Sequence, residues 1–465
     1  MDNGRLDFRP APVDPGHREP EDLERPQDWG GGPLMGDQAG RGQGGRVFVV
    51  GLGAVTCLGS TLEETWAGLI AGRSGLKRHE SMPRDRFLQD IAGVVETFQP
   101  GPAEMIGEAA KLEVRSIHFA LEAAREAWRD AGLHERQPPS RDGFDPDRVG
   151  VLVGSALGGM DLFENEVAKA AKRTTLAVSP YLIPGLIINQ EAGQIARQLG
   201  VFGPGFAPAN ACASGGHAVA LGGMMIRAGE IDLALCGASE SALTPMIVNG
   251  FATMKALYAG KPGDRAESDP SQASRPFSGD RAGFVLAEGA GMIVLASETA
   301  VERMGLRPHA ELLAWAVNSD GHHMAMPHGA RIEACLRTAL DRSGLEPEAI
   351  GHYNAHGTST KVNDRVETQA IKAVFGSAVS NLAVASIKGA LGHALGAASA
   401  IEAAVAVRSL SQGIVPPTLN YQPDPELDLD FVPHQARRID LSAVMSASFG
   451  FGGTNNALIF GRIAS

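Results

Sequence analysis

Apolar residues recur along this chain with the spacings typical of strands and helices. An apolar run that starts at Arg46 (RVFVVGLGAVT) is typical of a buried strand and ends in a glycine turn. Residues 61–70 repeat apolar side chains at helical spacing, with Thr61 as the predicted N-cap and Glu64 three residues later. Segment 109–132 has a longer amphipathic pattern. These elements predict an α/β protein.

The second half of the chain repeats the order of elements found in the first. A predicted helix at 332–343 precedes a strand at Gly351, much as the helix at 109–132 precedes a strand at 149–153. We therefore predict two copies of an α/β unit, each with a mostly parallel sheet flanked by helices.

The first residues of the chain differ in composition from the rest. They are rich in Gly, Pro, Asp, Glu and Arg and have almost no periodic apolar pattern, which is typical of disorder. We predict a disordered tail at 1–45, an N-terminal half at 46–300 that carries the nucleophile described below, and a C-terminal half at 301–465.

Composition excludes several classes of protein. Of 465 residues, 44% are hydrophobic and 20% charged, which is typical of a globular protein. No apolar run reaches the roughly 18 residues of a membrane span, and the amino terminus has no secretory h-region, so we expect a cytoplasmic protein. The net charge of −12 argues against nucleic acid as a partner, although a local basic patch can still dock an acidic protein.

Cysteine and histidine spacing does not predict a metal site or a disulfide framework. The four cysteines include no CxxC pair, and His322-His323 has no accompanying carboxylate or cysteine set. We therefore expect no bound metal.

Three short motifs of small residues carry the candidate chemistry. They are NACASG (210–215), NAHGTST (354–360) and KGALGH (388–393). Together they supply one thiol, Cys212, and two imidazoles, His356 and His393. A thiol that accepts an acyl group, beside two histidines that stabilise an enolate, is what carbon–carbon bond formation between thioesters requires.

Cys212 is predicted to lie at a turn between a strand and a helix. It follows an extended segment and precedes a helix-forming run, so we expect the helix dipole and free backbone N–H groups to lower the pKa of its thiol. The alternative is a buried structural cysteine, which is our interpretation of Cys57, Cys236 and Cys335.

Other residues of the sequence are candidates to support the two histidines and to cover the site. Lys388 and Glu367 are interpreted as a charge pair behind His356 and His393, with a solvated surface pair as the alternative. A glycine-rich loop that starts at Phe449 (FGFGGTN) lacks the Lys-Ser/Thr ending of a phosphate loop, and its aromatics suit a gate over an acyl pocket.

These motifs resemble those of β-ketoacyl-acyl-carrier-protein synthases of the KAS II type, condensing enzymes of the thiolase fold. The resemblance runs from Val47 to Phe460 and includes GLGAVT, SRPF, AEGAG, PPTLN and SFGFGGTN. It implies an α/β fold of two pseudo-repeated halves in an α-β-α-β-α arrangement.

The resemblance also implies catalytic roles. Cys212 would take the acyl chain as a thioester, and His356 and His393 would assist loss of carbon dioxide from a malonyl-carrier substrate. Lys388 and Glu367 would orient the histidines through hydrogen bonds.

Further implied roles concern the oxyanion and access to the site. The oxyanion hole would consist of the backbone N–H groups of Cys212 and Phe451, and Phe451 would gate access together with Phe449. No bound cofactor is implied, because the phosphopantetheine arm belongs to the acyl carrier protein.

Five residues are implied to bind substrate or carrier. Thr358 and Thr360 would hydrogen-bond the phosphopantetheine arm, Leu157 and Leu182 would shape the deep acyl pocket near a dimer interface, and Lys255 would dock the acidic carrier.

Departures from the family pattern favour a specialised type II polyketide pathway over housekeeping fatty-acid synthesis. Ser278, Lys361 and Asn363 replace a common Asp, Pro and Gly, and Leu182 replaces a frequent aromatic, which would widen or lengthen the pocket. The alternatives are a KAS II enzyme, a non-catalytic chain-length-factor-type subunit, a thiolase, or a carrier-binding scaffold. The partner would be a second copy, or a related chain-length-factor-type subunit in a heterodimer.

Overall fold

The computed structural model of the chain describes residues 45–96, 98–101, 107–135, 143–172 and 177–463. The predicted disordered tail therefore lies outside the described residues, apart from Gly45. Within the described ranges, no helix is both long and apolar enough to cross a membrane.

The described residues contain fourteen strands. In chain order they are β1 (Val47–Val55), β2 (Lys77–Arg78), β3 (Ile91–Ala92), β4 (Val149–Gly154), β5 (Gly205–Phe206), β6 (Leu233–Glu240), β7 (Gly289–Ser297), β8 (Ala310–Ser319), β9 (Ile350–Asn354), β10 (Ala383–Ala385), β11 (Ile414–Val415), β12 (Arg437–Arg438), β13 (Ala443–Gly450) and β14 (Thr454–Gly461).

They also contain twelve α-helices. These are α1 (Leu62–Ile70), α2 (Arg115–Asp130), α3 (Met160–Ala170), α4 (Leu182–Leu186), α5 (Gln190–Leu199), α6 (Ser214–Arg227), α7 (Pro245–Thr253), α8 (Glu298–Met304), α9 (Gly329–Ser343), α10 (Lys361–Phe375), α11 (Lys388–Leu391) and α12 (Ala398–Gln412).

Ten strands join in one sheet whose order has a two-fold pattern. The order is β5-β4-β6-β7-β1-β8-β14-β13-β9-β10, so each half contributes five strands in the same arrangement and the halves meet where β1 pairs with β8. In each half the three outer strands are parallel, whereas the two inner pairings are antiparallel. The prediction of a mostly parallel sheet is therefore wrong, since the sheet is mixed.

Helices cover both faces of this sheet. Helix α2 packs on β1 and β7 and helix α9 packs on β8 and β14, while α6 and α12 pack against each other and against strands of both halves. The predicted layered α/β architecture is confirmed. The division of the chain at residue 300 stays a prediction.

The central helix α12 is buried almost all round. Its small and aliphatic residues (ASAIEAAVAV) let it approach both the strands of the first half and those of the second. Its one carboxylate, Glu402, is equally buried, and such a group needs a charged or hydrogen-bonding partner.

The predicted local elements are largely present. Thr61 caps α1 by accepting a hydrogen bond from the backbone N–H of Glu64. The helix predicted at 109–132 begins only at Arg115, because Val114 is extended and residues 107–111 form a separate 3-10 turn.

Candidate active site

Cys212 lies in a tight turn at the start of α6, as predicted. The 3-10 turn Ala211–Ala213 leads directly into Ser214, and Ala211 has a φ of 49°, in the region that favours glycine. The Ser214 hydroxyl donates to the carbonyl of Ala211 at 2.7 Å and accepts the N–H of Asn210 at 2.9 Å. These bonds stabilise the turn that presents the thiol.

The end of β13 closes against this turn. A Cβ at Gly450 would lie 2.6 Å from the Asn210 carbonyl oxygen and 3.3 Å from the Cys212 nitrogen, so only glycine fits there. Thr454, on the neighbouring strand, donates its hydroxyl to the same Asn210 carbonyl at 2.9 Å. Close packing of β13 and β14 thus fixes the position of Cys212.

His393 faces Cys212 from the C-terminal half. It follows the short helix α11, with Gly392 at a φ of 76°. Its backbone N–H donates to the carbonyl of Val285 at 2.7 Å, and its carbonyl accepts the N–H of Ala287 at 3.0 Å. Its Nε2 lies 3.1 Å from the sulfur of Cys212, which is a hydrogen bond.

His356 completes the group from the loop after β9. Its ring centroid is 5.4 Å from that of His393, at an interplanar angle of 85°, and 5.7 Å from that of Phe449. The Cys212 sulfur and the nearest nitrogens of both histidines all lie within 4.8 Å of one another. The predicted triad is therefore assembled. Because a thiol and two imidazoles are also zinc ligands, the absence of a metal stays a prediction.

Glu367, from α10, holds the backbone of the His356 loop. Its two carboxylate oxygens accept the N–H groups of His356 and Gly357, each at 2.8 Å, and the hydroxyl of Tyr353 donates to it at 3.2 Å. Burial raises the pKa of Glu367 to about 7. It contacts the histidine's main chain rather than its ring.

Lys388 supports the same loop from the other side. Its ammonium donates to the carbonyl of His356 at 2.6 Å and pairs with the carboxylate of Glu402. The predicted Lys388–Glu367 charge pair is wrong, because the carboxylate that binds Lys388 comes from α12. The sequence does carry a signal for this partner, since Glu402 is the single acidic residue of an otherwise largely apolar helix, but the prediction did not use it.

Burial dominates the electrostatics of the triad. It raises the pKa of the Cys212 thiol to about 12, although Lys388 and the backbone N–H of Phe451 act in the opposite direction. Burial, followed by the positive charge of Lys388, holds the pKa of both His356 and His393 well below 6.5. The expectation of a lowered thiol pKa is therefore wrong, and the resting site holds a neutral thiol beside neutral imidazoles.

A cavity of about 760 Å³ leads to these groups. Thr358, Thr360, Lys255 and Phe451 all line it, as does the triad itself. The ring of Phe451 lies 6.3 Å from that of Phe251 across the cavity. Phe449 also lines the cavity but is buried beside His356, whereas Phe451 is half-buried. The role of the two rings as a gate stays a prediction.

The two residues predicted to shape the acyl pocket lie in different places. Leu157 belongs to an apolar cluster around the thiol, called here the Cys212 cluster. Its buried members are Met82, Phe87, Ala92, Cys212, Ala242, Val248, Leu257, Phe284, Leu286 and Leu395, and its half-buried members are Val94, Ala156, Leu157, Leu243, Ile247, Phe251, Ala252 and Ala256. Leu182 starts α4 and packs instead against the core of the N-terminal half. Its role in the pocket stays a prediction.

Comparison with protein families covers most of the chain. Residues 45–300 match the family described as Beta-ketoacyl synthase, N-terminal domain, and residues 309–422 match Beta-ketoacyl synthase, C-terminal domain. Among curated relatives, "3-oxoacyl-[acyl-carrier-protein] synthase 2" of Coxiella burnetii is 36% identical over 421 residues, covering 90% of this chain and 99% of the relative. The protein of the same name from Synechocystis sp. is 36% identical over 418 residues, covering 89% and 97%.

Solved structures give a second set of similar proteins. The complex titled "AntDE:AntF (apo): type II PKS acyl-carrier protein in complex with its ketosynthase bound to the hexaketide" matches with a TM-score of 0.82 at 30% identity, covering 90% of this chain and 100% of the other. "The ishigamide ketosynthase/chain length factor" matches with a TM-score of 0.81 at 32% identity and the same coverage. A beta-ketoacyl synthase from Burkholderia phymatum also has a TM-score of 0.81, at 30% identity.

Proposed function

The chain belongs to the β-ketoacyl synthase family, and on that premise we propose that it elongates acyl chains on a carrier protein by decarboxylative condensation. Membership makes it an acyltransferase that forms carbon–carbon bonds. The observation that carries the proposal is the 3.1 Å contact between the Cys212 sulfur and His393, with His356 beside them, all three lining the same cavity.

In the first half-reaction Cys212 takes the acyl group. His393 accepts the thiol proton as the sulfur attacks the carbonyl of the acyl-carrier thioester, and the carrier's thiol leaves with a proton. The backbone N–H groups of Cys212 and Phe451 stabilise the oxyanion, each such donor contributing about 3–4 kcal/mol to transition-state stabilisation.

In the second half-reaction a malonyl group on the carrier loses carbon dioxide. The pair of electrons from the broken carbon–carbon bond forms an enolate, whose oxygen accepts hydrogen bonds from His356 and His393. The enolate carbon attacks the Cys212 thioester, the carbon–sulfur bond breaks, and the released thiolate takes up a proton from solvent, the one proton that the overall condensation consumes. Lys388 and Glu367 act by holding the carbonyl and the N–H of His356, respectively.

The carrier's arm occupies the cavity, and the carrier itself docks at the surface. Thr358 and Thr360, which are hydrogen-bonded to each other at 2.9 Å, offer hydroxyls to the amides of the phosphopantetheine arm. Lys255, at the exposed C-terminal end of α7, docks the acidic carrier. No bound cofactor is required, because decarboxylation supplies the driving force and the arm arrives with the carrier.

Within this family we favour a specialised type II polyketide pathway. Two solved structures at a TM-score of 0.81 or above are titled as ketosynthases of type II polyketide or chain-length-factor systems. The departures at Leu182, Lys361 and Asn363 support the same choice, and the latter two line the cavity. The alternative is fatty-acid elongation of the KAS II type, supported by the names of the curated relatives.

We propose a dimer through the edge of the sheet at β5, beyond which no other strand of the described residues pairs. Strand β5 ends the sheet order, and both of its residues are exposed. The neighbouring Phe202 is 72% exposed and Phe206 is 47% exposed, which is typical of an interface. The partner is a second copy or a chain-length-factor-type subunit.

Intact-protein mass spectrometry tests the proposed function. The chain is incubated with a panel of acyl-carrier thioesters and then with malonyl-carrier protein. We expect an acyl adduct that is lost in Cys212→Ala and kept in Cys335→Ala, a matched variant of another buried cysteine, followed by a β-ketoacyl product. An absence of adduct with every donor, alone and with a co-expressed chain-length-factor-type subunit, would contradict the proposal.

A further inference from the structure

Another fully buried carboxylate, Glu240, lies near the nucleophile and has no place in the reaction steps above. It ends β6 and has no exposed surface. One of its oxygens accepts the N–H of Ala156 at 2.8 Å and that of Gly396 at 3.2 Å, and the other accepts the hydroxyl of Ser155 at 3.0 Å. The backbone N–H of the next residue, Leu157, also acts to lower the pKa of this carboxylate.

These contacts join two walls of the Cys212 cluster. Ala156 and Leu157 belong to the loop after β4, whereas Gly396 follows Leu395, which belongs to the loop after His393. A Cβ at Gly396 would lie 2.6 Å from the nitrogen of Ala156, so the two loops are in close contact. The single carboxylate of Glu240 is therefore hydrogen-bonded to both loops, the one that contains Leu157 and the one that contains Leu395.

The two halves of the fold place a buried carboxylate at corresponding loops. Ala156 is the second residue after β4, and His356 is the second residue after β9, the strand in the equivalent place of the sheet order. Glu367 accepts the N–H groups of His356 and of the residue after it. Glu240 likewise accepts the N–H of Ala156, the residue in the place that corresponds to His356.

We propose that Glu240 is a positioning residue that sets the spacing of the acyl-binding walls formed by Leu157 and Leu395, as Glu367 positions the loop of His356. The proposal rests on the proposed function, since it assigns these walls to the acyl chain on Cys212. Removing the carboxylate leaves the N–H groups of Ala156 and Gly396 buried without an acceptor, and the loops must move to satisfy them.

The chemistry of decarboxylation is held separately from these walls. The backbone of His393 is bonded to Val285 and Ala287, and the backbone of His356 is bonded to Glu367 and Lys388. A change at Glu240 is therefore expected to alter acyl transfer and chain selection more than loss of carbon dioxide from malonyl-carrier protein.

Variants of Glu240 test whether this residue affects acyl transfer and chain selection without affecting decarboxylation. Glu240→Gln can still accept both N–H groups with its amide oxygen and donate its NH₂ to Ser155. Glu240→Ala removes every acceptor. We expect acylation by the preferred chain length to fall about tenfold or more in Glu240→Ala, with a broader chain-length profile, while the decarboxylation rate stays within about twofold.

The control variants separate the possible outcomes. Glu240→Gln is expected to keep the wild-type chain-length profile of acylation. Ser155→Ala removes one neighbour of the carboxylate and is expected to shift this profile little. If Glu240→Ala does not fold, Glu240→Asp, which withdraws the carboxylate by one methylene, carries the test with the same expected shift in profile. An unchanged profile, or equal loss of acylation and decarboxylation, overturns the proposal. A wild-type chain that forms no acyl adduct would instead contradict the proposed function.

Discussion

At the scale of single residues, the nucleophile is controlled by burial rather than by the helix that it precedes. Charge–dipole effects at a helix terminus are worth about 0.3–1 kcal/mol, up to about 2 when partly buried. A rise in the thiol pKa from 9.0 to about 12 corresponds to about 4 kcal/mol. Because the larger effect decides, we expect Cys212 to rest as a thiol, with the Nε2 of His393 placed at 3.1 Å to accept its proton.

This arrangement predicts the pH dependence of alkylation. For a thiol of raised pKa the thiolate fraction grows about tenfold per pH unit up to the pKa. We expect the rate of Cys212 alkylation by iodoacetamide to keep rising from pH 7 to pH 10. Mass spectrometry of the modified peptide over this range measures the rate. A plateau between pH 6 and pH 8 would instead indicate a preformed thiolate and contradict the interpretation.

The buried pair of Lys388 and Glu402 predicts that variants can regain stability without regaining decarboxylation activity. Glu402→Leu leaves the ammonium of Lys388 buried without its carboxylate, which we expect to lower the free energy of unfolding by about 3–5 kcal/mol. The double variant Lys388→Met with Glu402→Leu removes both charges and is expected to regain most of that stability. It still lacks the hydrogen bond from Lys388 to the carbonyl of His356, so decarboxylation is expected to stay impaired.

Chemical denaturation and malonyl-carrier decarboxylation assays measure the two effects. Recovery of both stability and activity in the double variant would show that Lys388 acts only as the partner of Glu402. Continued instability would show that the pair stabilises the fold in a way that apolar replacements of similar length do not.

That three side chains would meet in one candidate site could be predicted from the sequence, but the partner of Lys388 could not. Cys212, His356 and His393 each stand among small residues, which leave room for substrate, and that local signal is visible without a structure. The partner of Lys388 depends on which helix packs behind α11, which is a tertiary fact. Glu367 and Glu402 are both buried acids on helices, and only packing distinguishes the one that binds the ammonium from the one that binds N–H groups.

At the scale of elements, the site consists of loops that follow strands and are held by neighbouring strands. The turn of Cys212 contacts the end of β13, and the loop of His393 pairs with the Val285–Ala287 segment. The strand order itself was not predictable, because strands covered by helices on both faces are apolar throughout; all nine residues of β1 are buried. Without alternation, the sequence does not distinguish parallel from antiparallel pairing.

The contact between β13 and the Cys212 turn predicts the effect of one added methyl group. Gly450→Ala would place its Cβ 2.6 Å from the Asn210 carbonyl, so the turn must shift. A displacement approaching 1 Å at a reacting atom costs about 100-fold in rate, and we expect acylation of Cys212 to fall by about that factor. Gly193→Ala, in α5 with no atom within 4 Å of the new Cβ, is the matched control and is expected to acylate normally. Equal rates in the two variants would contradict the assignment.

At the scale of the whole molecule, the active site exists because two similar halves meet. Cys212 comes from the first half and both histidines come from the second. The central helices α6 and α12, which begin just after the catalytic loops, pack against each other. The buried carboxylates Glu240 and Glu367 hold equivalent loops, one on each half. Displacement of one half relative to the other would therefore separate the thiol from its base.

The two outer edges of the sheet differ, and this difference predicts how the molecule assembles. At one edge β10 is covered, since the N–H of Val384 donates to the carbonyl of Asp430 at 2.8 Å. At the other edge β5 is exposed together with Phe202 and Phe206, and an uncovered edge strand readily pairs with another chain. A two-fold interface there buries the exposed half of Phe206 on each of the two chains, which contributes about 1.5–3 kcal/mol in total.

We therefore expect Phe206→Lys to convert a dimer into a monomer, measured by light scattering coupled to gel filtration. Leu88→Lys is the matched control: Leu88 is 68% exposed and hydrogen-bonded to Asn249 of α7, so it is expected to leave the dimer intact. If the wild-type chain is already monomeric, a second copy of this chain is excluded as the partner. Co-expression with a chain-length-factor-type subunit then tests the heterodimer, which Phe206→Lys is again expected to disrupt. A dimer that survives Phe206→Lys would show that the chains meet at some surface other than the β5 edge.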